Sequence, residues 1–381
     1  MRPQPSKSHH HVTLPSSSFP KGFLVGGIFS GIKKTPSILD LGVILSTSPH
    51  KTSAAACFTR NAFKAAPVVV SDEVLKRSGG YVRGVIVNSG CANAVTGKQG
   101  MEDAWTMVKE TDKLLSNSSK KQFENESLVM STGVIGVNLP ISKIVDGIRS
   151  FAPSSNTSSS GPAFLGSDFA SWECLAKAFM TTDTFPKLRS RIFSIRGVEY
   201  RMAGIDKGAG MIHPNMGPAS TSFPVSSQSL HATLLACIVT DAAVSPRSLQ
   251  NALSYAVERS FNSISVDGDM STNDSVYVLA NGAVLPSDGG ETMVIDEETD
   301  GEAYEIFRNE LTLFAQDLAK LVVRDGEGAT KFVTVTVKVR VLQGQFICID
   351  NIYPECPYIP RRSQYRFPNF NLCTRENRSL R

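Results

Sequence analysis

The sequence predicts a large α/β (α+β) sandwich, and three features of the chain carry this prediction. The chain has 381 residues, of which 41% are hydrophobic and 19% charged, so it is long enough to bury an extensive core. Short β-branched or apolar runs, punctuated by Gly, Asn and Ser, are typical of strands. Between them lie longer segments with the apolar periodicity of helices.

The predicted elements alternate in type along the chain. Strands are predicted at residues 41–45, 67–70, 84–88, 275–279 and 332–339. Helices are predicted at residues 101–115, 142–151, 171–180, 246–261 and 301–323. The helix at 246–261 has the clearest start, because Ser245 can cap it and Pro246 fits the first helical position. This mixture of strands and helices favours a layered sandwich.

Two segments fit neither pattern. Residues 154–161 are rich in Ser and are expected to form a surface loop. Residues 340–381 combine four prolines with many arginines and three of the seven cysteines, without sustained periodicity. Such a segment cannot bury one face of a helix or strand, so we expect an aberrant and poorly ordered tail there.

The charge and the cysteines exclude several classes of protein. The net charge of +4 is mild and Lys-Arg runs are short, so nucleic acid is not an expected partner. No window approaches the roughly 18 apolar residues of a membrane-spanning helix, so no membrane partner is expected. Seven cysteines without a C-x-x-C pair indicate reduced thiols rather than a disulfide framework or a zinc site. These features predict a reducing compartment.

The N-terminal region has the composition of a targeting segment. The first 39 residues contain five Lys or Arg residues, no Asp or Glu, and many Ser. This bias fits an organelle transit peptide, and it equally fits a disordered polar N-terminus. Residues 1–20 are therefore expected to be a transit or disordered segment.

The scarcity of histidine limits the choice of catalytic base. Three of the six histidines are clustered at residues 9–11, and the chain lacks the G-x-S-x-G, P-loop, H-E-x-x-H and dinucleotide-binding motifs. Acyl transfer without histidine needs another base. An N-terminal Thr freed by self-cleavage supplies one, because its α-amine has a pKa of about 7.7–8.0. Thr233 is the candidate, since it opens an apolar run behind the Gly-rich segment 207–216.

Four other segments carry candidate chemistry, each with a plainer alternative. Residues 131–136 can form an oxyanion hole or an ordinary strand-to-helix turn. Cys91 lies between small residues and can be a reactive thiolate or a packed small side chain. Residues 181–187 can bind a polar amino acid or merely end a helix. The acidic loops at 267–274 and 324–328 lack the spacing of a calcium loop, so no metal is expected.

Seven segments, taken together and in this order, resemble the ArgJ family, the ornithine acetyltransferases or glutamate N-acetyltransferases. They are residues 87–94, 131–136, 181–187, 207–216, 232–237, 265–274 and 325–331. The resemblance covers about residues 20–338 and looks closest to the fungal mitochondrial members.

The resemblance implies a layered α/β/β/α sandwich of the self-processing, N-terminal-nucleophile type. The α-chain region would be residues 21–232 and a partial β-chain region would be residues 233–339, with cleavage between Ala232 and Thr233. Two α and two β chains would form a heterotetramer. The family also implies the mitochondrial matrix, with the cytoplasm as the alternative.

The implied reaction moves an acetyl group from N2-acetyl-L-ornithine to L-glutamate through an acetyl-Thr intermediate, without a cofactor. Bifunctional members also accept acetyl-CoA as the donor. The nucleophile falls on Thr233, and the oxyanion hole falls on Thr132 and Gly133. The substrate contacts fall on Thr182, Lys207, Thr233 and Glu327. A lysine and a glutamate can pair with the carboxylate and the ammonium group of an amino acid.

The chain departs from the family pattern at two places. Residues 217–231 are an atypical insertion that separates the two halves of the nucleophile signature, and after about residue 339 the match stops. Both departures resemble translated introns. Two other interpretations therefore stay open. One is a Thr-nucleophile amidohydrolase or aminopeptidase that uses water as the acceptor, and the other is an inactive, uncleaved precursor.

Overall fold

The chain divides into two compact units, Met1–Lys331 and Phe332–Arg381. The computed structural model describes residues 6–115, 123–152, 165–219, 234–284 and 293–335, together with the backbone of residues 338–342 and 345–349. The strands of the first unit are β1 (Phe23–Ile28), β2 (Leu41–Ser46), β3 (Ser53–Thr59), β4 (Gly84–Cys91), β5 (Ser127–Val134), β6 (Lys187–Ile195), β7 (Val198–Lys207), β8 (Met216–Pro218), β9 (Leu235–Thr240), β10 (Ala243–Val244), β11 (Ser275–Ala280) and β12 (Val294–Ile295). Its helices are α1 (Ala66–Ser78), α2 (Gly97–Leu115), α3 (Ile141–Ser150), α4 (Phe169–Phe179), α5 (Pro246–Glu258) and α6 (Gly301–Arg324).

A four-stranded sheet lies on one side of the first unit, with the order β1-β2-β4-β5. All neighbours are antiparallel except the parallel pair β4 and β5. Helices α2 and α3 cover one face, where Leu41 lies against Gly147 of α3. Helix α4 packs on the other face, and a Cβ on Gly42 would meet Leu175 at 2.7 Å. The glycines therefore allow helices to approach both faces closely.

A six-stranded sheet has the order β6-β7-β9-β11-β3-β8, in which only β9 and β11 are parallel. Ala203 and Tyr277 on its inner face belong to the same apolar core as β2, β4 and β5. Helices α5 and α6 cover its outer face, where Phe314 and Leu318 lie against Gly204. Helices α2 and α3, the four-stranded sheet, the six-stranded sheet, and helices α5 and α6 follow in that order, and α4 contacts both sheets. This arrangement confirms the α/β sandwich expected from the sequence.

Several predicted elements need correction. Residues 67–70 were expected to be a strand but lie in α1, because Pro67 fits the first helical turn and Val68 and Val70 pack into the core. Helix α5 begins at Pro246 as expected, but Ser245 does not cap it. Its hydroxyl donates to Asp296 Oδ2 at 2.5 Å instead.

The C-terminal unit contains an antiparallel pair of strands, β13 (Lys338–Leu342) and β14 (Gln345–Ile349). Of the strand expected at 332–339, residues 332–335 are not in a strand, and residues 338 and 339 belong to β13. Residues 340–342 and 345–349 also differ from the disordered tail expected for 340–381, while residues 350–381 lie outside the described part of the chain. The Ser-rich loop expected at 154–161 lies outside it as well.

Residues 6–20 are packed against the rest of the first unit. Phe19 stacks on Trp172 with ring centroids 5.1 Å apart, and Lys7 Nζ donates to the Gly326 carbonyl at 3.0 Å. These contacts differ from the disorder expected for residues 1–20, because an aromatic side chain anchors the segment in the core. The transit-peptide assignment of residues 1–20 stays a prediction.

Candidate active site

The ends of β5 and β7 meet between the two sheets, and they bring together three of the residues expected from the sequence. Thr132 and Gly133 lie at the end of β5, and Lys207 is the last residue of β7. Lys207 Nζ donates to Thr132 Oγ1 at 3.1 Å, and both side chains are buried. This hydrogen bond connects the four-stranded sheet to the six-stranded sheet at the candidate site.

Burial controls the charge of Lys207. Desolvation lowers the pKa of its ammonium group below the ordinary lysine value, and the nearby Lys187 lowers it further. The carboxylates of Asp183, Asp274 and Glu327 act in the opposite direction. Lys207 thus lies among carboxylates in a region that excludes water, and burial weakens the binding of its proton.

Gly133 occupies a position that only glycine can fill. Its φ angle is +127°, and a Cβ would lie 2.3 Å from the carbonyl carbon of Gly90 and 2.6 Å from Cys91 N. The ladder between β4 and β5 is irregular at this point. The turn expected from residues 131–136 is therefore a place where the backbones of β4 and β5 approach each other closely. There the main-chain groups leave the regular hydrogen-bonding pattern of the sheet.

Asp274 holds the start of β9. Its Oδ1 accepts a hydrogen bond from Leu234 N at 2.9 Å, and its Oδ2 accepts one from Ser271 N at 3.3 Å. Leu235 pairs with Lys207 on one side and with Ser275 on the other. Leu234, which follows Thr233 in the chain, is thus fixed by a buried carboxyl, and the next residue, Leu235, lies beside Lys207.

Asn273 ties the segment before β11 to the other sheet. Its Nδ2 donates to the Ala92 carbonyl at 2.7 Å and to the Ser131 carbonyl at 2.9 Å. Ser131 directly precedes Thr132. Asn273 and Asp274 together therefore fix the distance between the candidate oxyanion turn and the start of β9.

Glu327 reaches the candidate site from the loop after α6. Its N–H donates to the Ala209 carbonyl at 2.7 Å, and its Cδ would lie 2.9 Å from a Cβ on Gly210. Asp267 accepts hydrogen bonds from the N–H groups of Met211 and Ile212 in the same Gly-rich segment. The segment that follows Lys207 is therefore folded around two carboxylates.

Thr182 lies in the loop after α4, with an exposed side chain. The next residue, Asp183, is buried and accepts a hydrogen bond from Gly208 N at 2.8 Å. The main chain at Thr182 is thereby connected to the main chain just after Lys207. Thr132, Gly133, Thr182, Lys207 and Glu327 hence all belong to connected segments of one region.

Ala232 and Thr233 lie outside the described residues, but the chain is placed on both sides of them. Gly217 pairs with Phe58, Phe58 pairs with Ser275, and Ser275 pairs with Leu235. With strands about 4.8 Å apart, Gly217 and Leu235 are separated by about 14 Å. The first residues of the insertion at 217–231 belong to a strand, β8.

The other segments that the sequence singled out have simpler roles. Cys91 is buried, its Sγ lies 3.1 Å from the Val137 carbonyl, and burial raises the pKa of the thiol. This favours the packed interpretation. Among the described residues, no three His, Cys, Asp or Glu side chains form a group that could hold a metal ion. None of the described helices is long and apolar enough to cross a membrane.

The burial of Asp274 predicts a measurable pH dependence of stability. Burial raises the pKa of this carboxyl from 3.8 to about 7. Because the folded protein binds this proton more tightly than the unfolded chain does, the carboxyl stabilises the fold at low pH. This contribution to the free energy of unfolding is complete below about pH 4 and is lost as the pH rises through about 7. The melting temperature of the wild type should fall from about pH 5 to about pH 8 more steeply than that of Asp274→Asn.

Asp146, which is exposed on α3, provides the control. Asp146→Asn should follow the wild-type profile. Equal slopes of melting temperature against pH for wild type and Asp274→Asn would contradict the raised pKa of Asp274.

Known proteins and a family model match most of this chain. The model of the ArgJ family matches residues 24–342. The arginine biosynthesis bifunctional protein ArgJ, mitochondrial, of Coprinopsis cinerea is 71% identical over 337 residues, covering 88% of this chain and 68% of that protein. The protein of the same name from Laccaria bicolor is 70% identical with the same coverage. The crystal structure of ArgJ from Bacillus halodurans is 35% identical, covers 54% of this chain and 95% of its own, and has a TM-score of 0.45.

Proposed function

The chain belongs to the ArgJ family, and from this premise we propose how its residues carry out the family's reaction. The chain is an acetyltransferase of arginine biosynthesis, acting as ornithine acetyltransferase and glutamate N-acetyltransferase. Its place is the mitochondrion, as for these relatives. The buried hydrogen bond between Lys207 and Thr132, beside Gly133, is the observation that carries the assignment of the site.

Thr233 is the proposed nucleophile, freed by cleavage after Ala232. Its hydroxyl oxygen attacks the acetyl carbonyl carbon of N2-acetyl-L-ornithine, and its α-amine takes the hydroxyl proton. The tetrahedral intermediate then releases the ornithine amine, which receives that proton, and leaves an acetyl ester on Thr233. The amine of L-glutamate attacks this ester by the reverse sequence, so the cycle needs no cofactor.

Thr132 and Gly133 are the proposed oxyanion hole. A protonated Lys207 has only donors, so Thr132 Oγ1 accepts from it and keeps its own hydrogen for a second partner. The backbone N–H of Gly133 is the other proposed donor. A cation adjacent to one donor further stabilises the charge that develops on the acetyl oxygen.

Thr182, Lys207 and Glu327 are the proposed contacts for the substrate, together with Thr233. Lys207 suits the substrate carboxylate, and Glu327 suits an ammonium group. Both ornithine and glutamate carry the α-carboxylate, so one site can serve both half-reactions. We further propose two α and two β chains in a heterotetramer, and acetyl-CoA as a second acetyl donor.

Product analysis tests the transfer reaction. Purified protein is incubated with N2-acetyl-L-ornithine, with and without L-glutamate, and the products are separated and quantified. Transfer predicts N-acetyl-L-glutamate and ornithine in equal amounts, and little ornithine without glutamate. Equal release of ornithine in both incubations, with acetate as the second product, would favour the amidohydrolase alternative instead.

The second alternative, an inactive precursor, is tested by mass spectrometry of the same preparation. Cleavage predicts a fragment that begins at Thr233. Only an intact chain of 41.1 kDa would show that this polypeptide stays uncleaved.

A further inference from the structure

Lys187 is a buried cation that the reaction as described does not use. Its side chain has 0% exposure at the start of β6. Its Nζ donates to Asp183 Oδ1 at 2.5 Å and to Asp325 Oδ2 at 2.6 Å. The two carboxylates come from loops far apart in the sequence, and both are also buried.

Each carboxylate also binds main-chain N–H groups. Asp183 Oδ1 accepts from Gly208 N at 2.8 Å, and its Oδ2 accepts from Thr181 N at 2.9 Å. Asp325 Oδ2 accepts from Thr184 N at 2.9 Å, and Asp325 Oδ1 accepts from the Thr184 hydroxyl. The lysine and its two partners therefore join three segments of the chain.

These three segments are the ones that hold the proposed substrate contacts. Thr182 lies between the bonded residues Thr181 and Asp183, Lys207 directly precedes Gly208, and Glu327 lies two residues after Asp325. A displacement of either carboxylate would therefore move a substrate contact by a similar amount. A shift of about 1 Å at a reaction site can lower its efficiency by about a hundredfold.

Lys187, Asp183 and Asp325 stabilise one another in their charged forms. Burial raises the pKa of Asp183, but Lys187 and Lys207 outweigh it and hold the pKa of this carboxyl below its ordinary value. Burial likewise lowers the pKa of Lys187, and the two carboxylates outweigh it. Asp206 lies opposite Lys187 in the register of β6 and β7, and burial raises the pKa of its carboxyl well above the ordinary value.

We propose that Lys187 is a positioning residue, which holds the Thr182, Lys207 and Glu327 segments in their relative places through Asp183 and Asp325. This inference rests on the proposed substrate contacts. Lys187 itself touches no reacting atom. Its loss would leave two buried carboxylates without the cation that bridges them, and repulsion between them would separate the loops.

Isothermal titration of L-ornithine and L-glutamate into the purified full chain tests the proposal without depending on turnover. Lys187→Met should weaken the binding of both amino acids about tenfold or more. Lys187→Arg keeps the charge and can pair with both carboxylates, so it should restore much of the affinity. In steady-state assays the same Lys187→Met change should raise KM more than it lowers kcat.

Arg83→Met is the matched control. Arg83 Nη2 lies 2.5 Å from Glu126 Oε2 in another buried ion pair, with side chains 10% and 4% exposed. This pair lies before the start of β4, whereas the candidate site is at the other end of that strand. Arg83→Met should lower the melting temperature and leave both affinities unchanged.

The double variant Lys187→Met/Asp325→Asn tests the proposal if Lys187→Met alone does not fold. It removes one negative charge together with the cation, so the two side chains that Lys187 bridged no longer repel each other. It should fold and still bind both amino acids weakly, since the connection between the segments is lost. Wild-type affinity in folded Lys187→Met or in the double variant would overturn the proposal. Wild-type protein that binds ornithine but transfers no acetyl group would instead overturn the proposed function, while the affinity series still decides on Lys187.

Discussion

Replacement of Thr233 by alanine is expected to leave the polypeptide intact and to abolish acetyl transfer. The change removes the hydroxyl that would attack both the preceding peptide bond and the acetyl carbonyl, and the α-amine base is then never freed. Loss of the nucleophile of a serine protease lowers kcat by about 10⁶-fold, and we expect a loss of similar size here. Mass spectrometry and product analysis of Thr233→Ala, beside the wild type, measure both effects.

Thr233→Ser is the matched variant for this experiment, because it retains a hydroxyl group. It should still be cleaved and should retain measurable transfer. A fragment beginning at residue 233 in Thr233→Ala, or transfer at the wild-type rate, would show that another residue is the nucleophile. Equal failure of Thr233→Ser and Thr233→Ala would show that the hydroxyl alone is insufficient.

Replacement of Gly133 by alanine is expected to have the second largest effect. The φ angle of +127° disfavours any side chain, and the new Cβ would lie 2.3 Å from the Gly90 carbonyl carbon. That contact is with the main chain, so β4 and β5 must separate at the turn that carries Thr132. Loss of one oxyanion donor commonly lowers kcat by about 10²–10³-fold, and we expect at least that loss here.

Gly136→Ala separates the effect of crowding from that of backbone strain. Gly136 lies in the same turn with a φ angle of +76°, but nothing lies within 4 Å of a Cβ built on it. Gly136→Ala should therefore lower the melting temperature modestly and keep most of kcat. Steady-state assays with acetylornithine and glutamate, together with thermal unfolding, compare the two variants. Similar kcat values for both would contradict the role of the close approach at Gly133.

The sequence predicts those parts of the fold in which local pattern and tertiary packing agree. Helix α5 is one case, because its apolar face and Pro246 both indicate the same start. Residues 67–70 are a case of disagreement. Their β-branched run favours a strand locally, yet burial of Val68 and Val70 against the core stabilises a helix. Tertiary contacts override local propensity there.

The candidate site likewise has a part that the sequence predicts and a part that it does not. The segments with candidate chemistry could be found from the sequence, since Gly-rich turns and clustered hydroxyls are visible locally. The polar groups that hold these segments together could not. Lys187 and Asp325 are 138 positions apart, and Asn273 contacts carbonyls at residues 92 and 131. One feature of the sequence could have indicated these groups. A lysine or carboxylate at the end of a buried strand is costly to bury unless it is paired, so such a residue predicts a buried ion pair.

The order of strands in the six-stranded sheet decides how two cleaved chains could be made. Strands β9 and β11, which follow residue 233, lie between β7 and β3, which precede it. Fragments produced separately would each expose two unpaired strand edges, and such edges favour aggregation. If the proposed cleavage before Thr233 occurs, we therefore expect both chains to be synthesised and folded as one polypeptide. We then expect that expression of the two chains from separate genes would not replace a cut made after the sheet has formed.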